Sequence, residues 1–216
     1  MPLLVQLDFD GTVTEEDVSF LLLDEYAGSG WRRYLEEYSA GKISVAVFSK
    51  TVFGMIKADE KTMTDFVLNS PRVRVRPGFK EFLYYCSNES IKVVVVSNGL
   101  RFYIEAILRE MGITGLEVHA AECEFSPEGG KLRYIGPDGV EVDTGFKEAF
   151  ADRFHAQGYR IIYVGDGASD IYPSRKASFV CATATLYQRS REENLPCQAF
   201  RDFYDITRII EGLELD

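Results

Sequence analysis

Nothing in this chain supplies a thiolate metal site, a polyanion-binding surface or a membrane span. Its four cysteines, Cys86, Cys123, Cys181 and Cys197, are scattered with no C-x-x-C pair. That spacing argues against zinc and against a disulfide framework, and for reduced thiols in a cytoplasmic protein. Basic residues are outnumbered: the net charge is −10, so nucleic acid and anionic membranes are repelled rather than recruited. The apolar runs are too short to cross a bilayer, and Met1-Pro2 leads straight into the first of them without a basic leader, so neither a membrane anchor nor secretion is expected. Low-complexity tracts are missing too. The two histidines, His119 and His155, lie away from the ends of strand-like runs and are expected to be structural or surface residues.

What is present is an ordinary globular composition over 216 residues, 46% hydrophobic and 27% charged. The run Leu3-Leu4-Val5-Gln6-Leu7 reads as a buried strand and ends abruptly in Asp8-Phe9-Asp10-Gly11-Thr12. Residues i and i+2 of a strand share a side, so Asp8 and Asp10 face one crevice while Phe9 packs away from it. The next sixty or so residues keep a helical period in four pieces. They run from about Glu15 to Ala27, Trp31 to Ser39, from a Ser44 cap through Ile56, and from Thr62 or Thr64 to Pro71. After Arg76-Pro77-Gly78, strand and helix alternate. Ile91 to Val96 is a continuous β-branched run, Leu116 to Phe125 and Arg160 to Val164 are further strands, and Phe179 to Ala182 is a short one. Leu132 to Val142 reads as an edge hairpin about Gly136-Pro137-Asp138-Gly139, Thr183 to Phe200 as irregular polar chain, and Arg201 to Leu213 as a last helix.

This alternation predicts an α/β fold: a doubly wound, mainly parallel, Rossmann-like sheet with a small four-helix cap inserted after the first strand. The core is expected over 1–13 and 76–216 and the cap over 14–75, as a lid above the crevice.

Three apolar strands end in polar clusters, at Asp8 to Thr12, Ser97 to Gly99 and Gly165 to Asp170. In a parallel sheet these ends share one edge, where open α/β sheets bind ligands. Four carboxylates, Asp8, Asp10, Asp166 and Asp170, would then crowd one pocket, and oxygen ligands of this kind suit Mg²⁺ better than a shared proton. With a metal present, one oxygen of Asp8 is free to act as a nucleophile, Asp10 is placed to move protons, and Ser97 with the Asn98 and Gly99 amides, read as opening a helix, makes a phosphate cradle.

These motifs, D-x-D-G-T, a strand ending in Ser97, Lys147 and G-D-G-x-S-D in that order, resemble the haloacid dehalogenase superfamily of aspartate-nucleophile phosphatases. The resemblance implies Asp8 as nucleophile and Asp10 as general acid/base. It implies Mg²⁺ on Asp8, the Asp10 carbonyl and Asp166, with Asp170 either a ligand through water or an orienter of Lys147. Ser97 and Lys147 would bind the phosphoryl group, Lys147 being preferred to Lys131 because it opens the helix before the Asp166 strand. The helical insertion looks like that of the phosphoserine phosphatase branch, and more closely like the methionine-salvage phosphatases that act on 2-hydroxy-3-keto-5-methylthiopentenyl-1-phosphate. Asp17 stands where phosphoserine phosphatases carry glutamate, as in the methionine-salvage branch. The expected partner is therefore a small phosphorylated metabolite, with Asp17, Phe20, Trp31, Phe53 and Met55 as candidate selectivity residues. A phosphoserine substrate, or a binding protein of the same fold without turnover, stands as the alternative.

Overall fold

The structure, a computed structural model, describes residues 1–213, so the last three residues of the expected 76–216 unit lie outside the described residues. At its centre is β1 (Leu3–Leu7), flanked on both sides and buried over nearly its whole length. Alternate residues of such a strand feed opposite layers. Val5 and Leu7 join one core with Phe79, Phe82, Phe203 and Ile206, while Leu4 joins a second with Phe146, Phe150 and Phe154.

Helices α1 (Val18–Tyr26), α2 (Arg32–Ser39), α3 (Val45–Phe53) and α4 (Glu60–Asn69) follow β1. Asp17 caps α1 by accepting from the Phe20 N–H, and Ser44 caps α3 as its position predicts. The fourth helix starts earlier than Thr62: Asp59 accepts the Thr62 N–H at 2.7 Å, and a carboxylate outcompetes a hydroxyl at a helix N-terminus. Trp31 belongs to a 3-10 turn ahead of α2. The chain enters and leaves this insertion through a paired stalk. Thr14 bridges Val75 antiparallel, Glu15 N–H donates to the Arg74 carbonyl at 2.8 Å, and Arg76 N–H to the Val13 carbonyl at 2.8 Å.

Helix α5 (Phe79–Asn88) then leads to β2 (Lys92–Leu100), α6 (Arg101–Glu110), β3 (Glu117–Glu124), β4 (Lys131–Arg133), α7 (Phe146–Ala156) and β5 (Arg160–Gly165). The short α8 (Ile171–Ser174), β6 (Phe179–Ala182), α9 (Ala184–Glu192), β7 (Cys197–Ala199) and α10 (Phe203–Glu211) complete the described residues. The sheet order is β4-β3-β2-β1-β5-β6-β7, parallel throughout except where β4 runs against β3. No described helix is long and apolar enough to cross a membrane.

Three expectations change. The apolar strand runs on past Val96 to Leu100, and its register with β3 shifts between those two residues, so Ser97, Asn98 and Gly99 bulge at the sheet edge. Edge strand β4 pairs with β3, and the turn at 136–139 closes only an isolated bridge between Ile135 and Glu141, because the cross-strand partner available to Leu132 is Cys123. The segment Thr183 to Phe200 is ordered as α9 and β7. Only Leu186 and Ser190 of α9 are buried, and an edge strand needs little apolar surface, so the stretch looked polar.

Candidate active site

The strand ends do converge. Asp8, Asp10, Ser97, Asn98, Gly99, Lys147 and Asp166 line one cavity of about 220 Å³, together with Asp17, Phe20 and Phe53 from the insertion. Trp31 stands behind it, its ring 5.3 Å from that of Phe20, and Met55 packs against the core rather than lining the cavity. Sequence reasoning missed Ser19, Tyr38, Val45, Phe48 and Ser49, which complete the wall. Their helical spacing reads equally well as internal packing.

Asp8 continues the β1 ladder by donating its N–H to the Val164 carbonyl at 2.9 Å. Its Oδ1 accepts the Phe9 N–H at 2.8 Å and lies 2.8 Å from Lys147 Nζ. Lys147 sits one residue into α7, buried to 2% exposure, and its ammonium also reaches Asp170 Oδ1 at 2.6 Å. Burial alone would push the ammonium towards neutrality, but Asp170 and Asp8 outweigh it and hold its proton more tightly than usual. Asp170 is in turn fully occupied. Tyr163 Oη donates to Oδ1 at 2.6 Å, and the Asp166 and Gly167 amides donate to Oδ2 at 3.1 and 2.8 Å. Gln6, a buried amide in the central strand, donates to the Lys147 carbonyl at 2.9 Å and fixes the start of α7 from below.

Asp10 is held by different groups. Its Oδ1 accepts the Val18 N–H at 3.1 Å and its Oδ2 the Tyr103 hydroxyl at 2.5 Å. Burial raises its proton affinity well above the ordinary carboxylate value, and the Asp17 charge raises it further. Gly11 turns the chain away with φ +72°, and a Cβ there would lie 2.5 Å from Asp166 Oδ2. Only glycine tolerates both that angle and that contact. Arg76 locks the turn, donating to the Gly11 and Thr12 carbonyls at 2.9 and 3.0 Å and to the Arg201 carbonyl at 3.0 Å.

The cradle at β2 differs from the expected helix opening. Helix α6 begins only at Arg101, and the Gly99 N–H already donates to Ser97 Oγ at 3.0 Å inside the bulge, while the Tyr134 hydroxyl donates to the Asn98 carbonyl at 2.9 Å. His119 stacks on Phe150 at 4.1 Å and bonds Glu117, and His155 is exposed, so neither approaches the cavity. The four cysteines are all free thiols.

Charge in the cavity is unbalanced. Among the described residues lining it, Lys147 is the only cation, against Asp8, Asp10, Asp17 and Asp166. Oxygens of Asp8, Asp166 and Asp170 lie within 4.8 Å of one another. Burial, with Asp170 adding to it, pushes the Asp166 carboxyl up to about 7, which marks a group that lacks a counter-ion. With Asp170 taken up by its four donors, Asp8 and Asp166 supply the carboxylate oxygens that would suit a hard divalent cation.

Comparison with known proteins agrees with the geometry. Residues 5–172 match the haloacid dehalogenase-like hydrolase family model, and the chain belongs to that family. It is an enzyme of the phosphatase kind within it. The 2-hydroxy-3-keto-5-methylthiopentenyl-1-phosphate phosphatase of Brevibacillus brevis is 26% identical over 211 residues, covering 96% of this chain and 94% of that one. The protein of that name from Geobacillus kaustophilus is 25% identical over 213 residues, covering 96% and 95%. Among solved structures, a phospho-aspartyl intermediate analogue of phosphoserine phosphatase superposes with a TM-score of 0.71 at 19% identity, covering 96% of this chain and 98% of that one. At that identity the superposition speaks for the fold alone.

Proposed function

We propose that the chain hydrolyses the phosphomonoester of a small metabolite through an aspartyl-phosphate, with residues 14–75 as a cap that selects the substrate. The observation that carries this reading is the separation of two carboxylates at one strand end: Asp8 beside the Lys147 ammonium, Asp10 beside a hydroxyl and an amide. Burial raises the proton affinity of both carboxyls, and Asp170 adds to it at Asp8. There the Lys147 ammonium opposes the rise and favours the ionised, attacking form, whereas at Asp10 the Asp17 charge adds to burial and favours the protonated form that a leaving oxygen requires.

In this mechanism the Asp8 carboxylate forms a bond to phosphorus as the bond to the ester oxygen breaks, and Asp10 gives that oxygen its proton. Asp10 then takes a proton from water, which attacks phosphorus and releases Asp8. Ser97 and Lys147 hold the phosphoryl oxygens, and Asp170 orients Lys147. Mg²⁺ would be held by Asp8, Asp166 and the Asp10 carbonyl, and when bound would neutralise charge on the phosphoryl group.

The wall above the phosphate site disfavours an anionic tail. Phe20, Val45, Phe48 and Phe53 are apolar, and Asp17 is the only charged side chain from the insertion among the described lining residues. A phosphoserine carboxylate would meet no cation there, although its ammonium would face Asp17. The 2-hydroxy-3-keto-5-methylthiopentenyl-1-phosphate named for the relatives carries no carboxylate and ends in an apolar thioether, which supports it over phosphoserine. The test is phosphate release with Mg²⁺ from a panel containing that enol phosphate, phosphoserine and 4-nitrophenyl phosphate. We expect the enol phosphate to be preferred and Asp8→Asn to lose more than about 10³-fold in kcat. A folded wild-type protein that releases phosphate from no member of the panel overturns the reading.

A further inference from the structure

The proposed reaction gives Asp10 two proton transfers, and the structure contains a side chain that holds it for them. Tyr103, on α6, is completely buried. Its hydroxyl lies 2.5 Å from Asp10 Oδ2 and 2.8 Å from Ser19 Oγ. A phenol has one proton to donate, and the carboxylate takes it, so the Ser19 hydroxyl donates to Tyr103 in turn. Asp10 Oδ1 is meanwhile fixed by the Val18 amide at the start of α1. Each carboxyl oxygen keeps a second lone-pair direction for the leaving oxygen or for water.

Two features separate this arrangement from ordinary core packing. The ring of Tyr103 packs edge-on against Phe102 at 5.4 Å, and a phenylalanine would fill that space equally well. The hydroxyl therefore adds a desolvation cost to the core that only Asp10 and Ser19 offset. Secondly, Gly99 makes room for the pair. A Cβ at that position would lie 2.0 Å from Tyr103 Oη and 2.2 Å from Asp10 Oδ2, so the bulge in β2 must carry no side chain there. Three separate parts of the chain, the turn after β1, the bulge of β2 and the first turn of α6, are shaped around one hydrogen bond.

We infer that Tyr103 is a positioning residue for Asp10, fixing the carboxyl that serves the leaving oxygen, and that Ser19 ties this hydroxyl to the helical insertion. The inference rests on the proposed phosphatase reaction. Its consequence is selective. An ester whose leaving group departs readily as an anion needs little help from Asp10, whereas a poor leaving group needs the proton delivered in line. Loss of the Tyr103 hydroxyl should thus hurt the poor leaving group and spare the good one.

The experiment measures kcat/KM with Mg²⁺ for substituted phenyl phosphates of similar shape, from 4-nitrophenyl to 4-methoxyphenyl, in the wild type and in Tyr103→Phe, Ser19→Ala and Asp10→Asn. For Tyr103→Phe we expect a fall of about tenfold or more on the 4-methoxyphenyl ester and less than about twofold on the 4-nitrophenyl ester, a part of the full acid/base contribution. Asp10→Asn should show the same tilt more steeply, and the double variant should fall no further than Asp10→Asn alone. Ser19→Ala should tilt in the same direction by less, and it carries the test if Tyr103→Phe does not fold. An equal fall on both esters, or none, overturns the inference and leaves the proposed function standing. A wild type without turnover removes both.

Discussion

Lys147 Nζ stands 2.8 Å from Asp8 Oδ1 and is shared with Asp170 at 2.6 Å, so a single buried ammonium holds two carboxylates drawn from different strand ends. The three groups are at most 9% exposed, and water can do little to replace any one of them. Removing the cation should therefore cost the fold as well as the reaction. Lys147→Ala is expected to lower stability by about 3–5 kcal/mol and to abolish phosphate release. Urea denaturation gives the first quantity; a midpoint equal to that of the wild type would show that the trio is not a buried ion pair.

Gly11 carries both a left-handed φ of +72° and a Cβ direction blocked by Asp166 at 2.5 Å. Gly11→Ala should cost roughly 1–2 kcal/mol from backbone strain alone. It should also displace Asp166 and weaken Mg²⁺ activation. Comparing the Mg²⁺ dependence of turnover in the two proteins checks this, and an unchanged half-saturating concentration contradicts it.

As a proposed metal ligand, Asp166 would link metal binding to pH. Burial, with Asp170 adding to it, raises its carboxyl from 3.8 to about 7, so the metal-free fold keeps a proton that the unfolded chain loses at lower pH. Stability from this group is complete below about 4 and declines as pH rises through about 7, by up to about 1.4 kcal/mol per pH unit. A divalent cation bound as proposed would replace that proton. The rise in Tm on adding Mg²⁺ should be small near about pH 5 and large near about pH 8, and a rise independent of pH would count against the site.

Asp17 has two attributes that substitution can separate. It caps α1 by accepting the Phe20 N–H at 3.0 Å, and its charge raises the proton affinity of Asp10. Asp17→Asn keeps a capping oxygen, so stability should hold within about 0.5 kcal/mol, whereas Asp17→Ala should lose about 1 kcal/mol. Both should change the substrate profile across the phosphate panel. If only Asp17→Ala does so, the residue acts through the helix and not through the cavity.

The parts of the site legible in the sequence are those written into one strand at a time. An apolar run that stops at Asp8 and Asp10 announces both the sheet edge and the shared face, and the ends at Ser97 and Asp166 repeat the pattern. Lys147 needed the family resemblance, because one lysine at a helix start is otherwise unremarkable as a sequence feature. Tyr103 and Tyr163 were invisible for a different reason. A tyrosine in an apolar stripe reads as packing, and the acceptor of each hydroxyl comes from a distant segment. The same holds for the bulge at Ser97 to Gly99, which depends on the register of β2 against β3 and leaves no mark on hydrophobic periodicity. Helix α9 was missed because it buries too few side chains to show a period.

The stalk in which Thr14 pairs with Val75 has a consequence for how such enzymes diversify. Because the two ends of the insertion lie side by side, a stretch of different length or sequence can be joined at the same two points, provided that it too packs against α6 and β4. Asp8, Lys147 and the Asp166 turn all lie outside residues 14–75. If the insertion selects the substrate as proposed, substrate preference is a graftable cassette, with conditions attached: a transplanted segment must still offer a backbone N–H where Val18 stands and a hydroxyl where Ser19 stands, or the recipient loses part of the hold on Asp10.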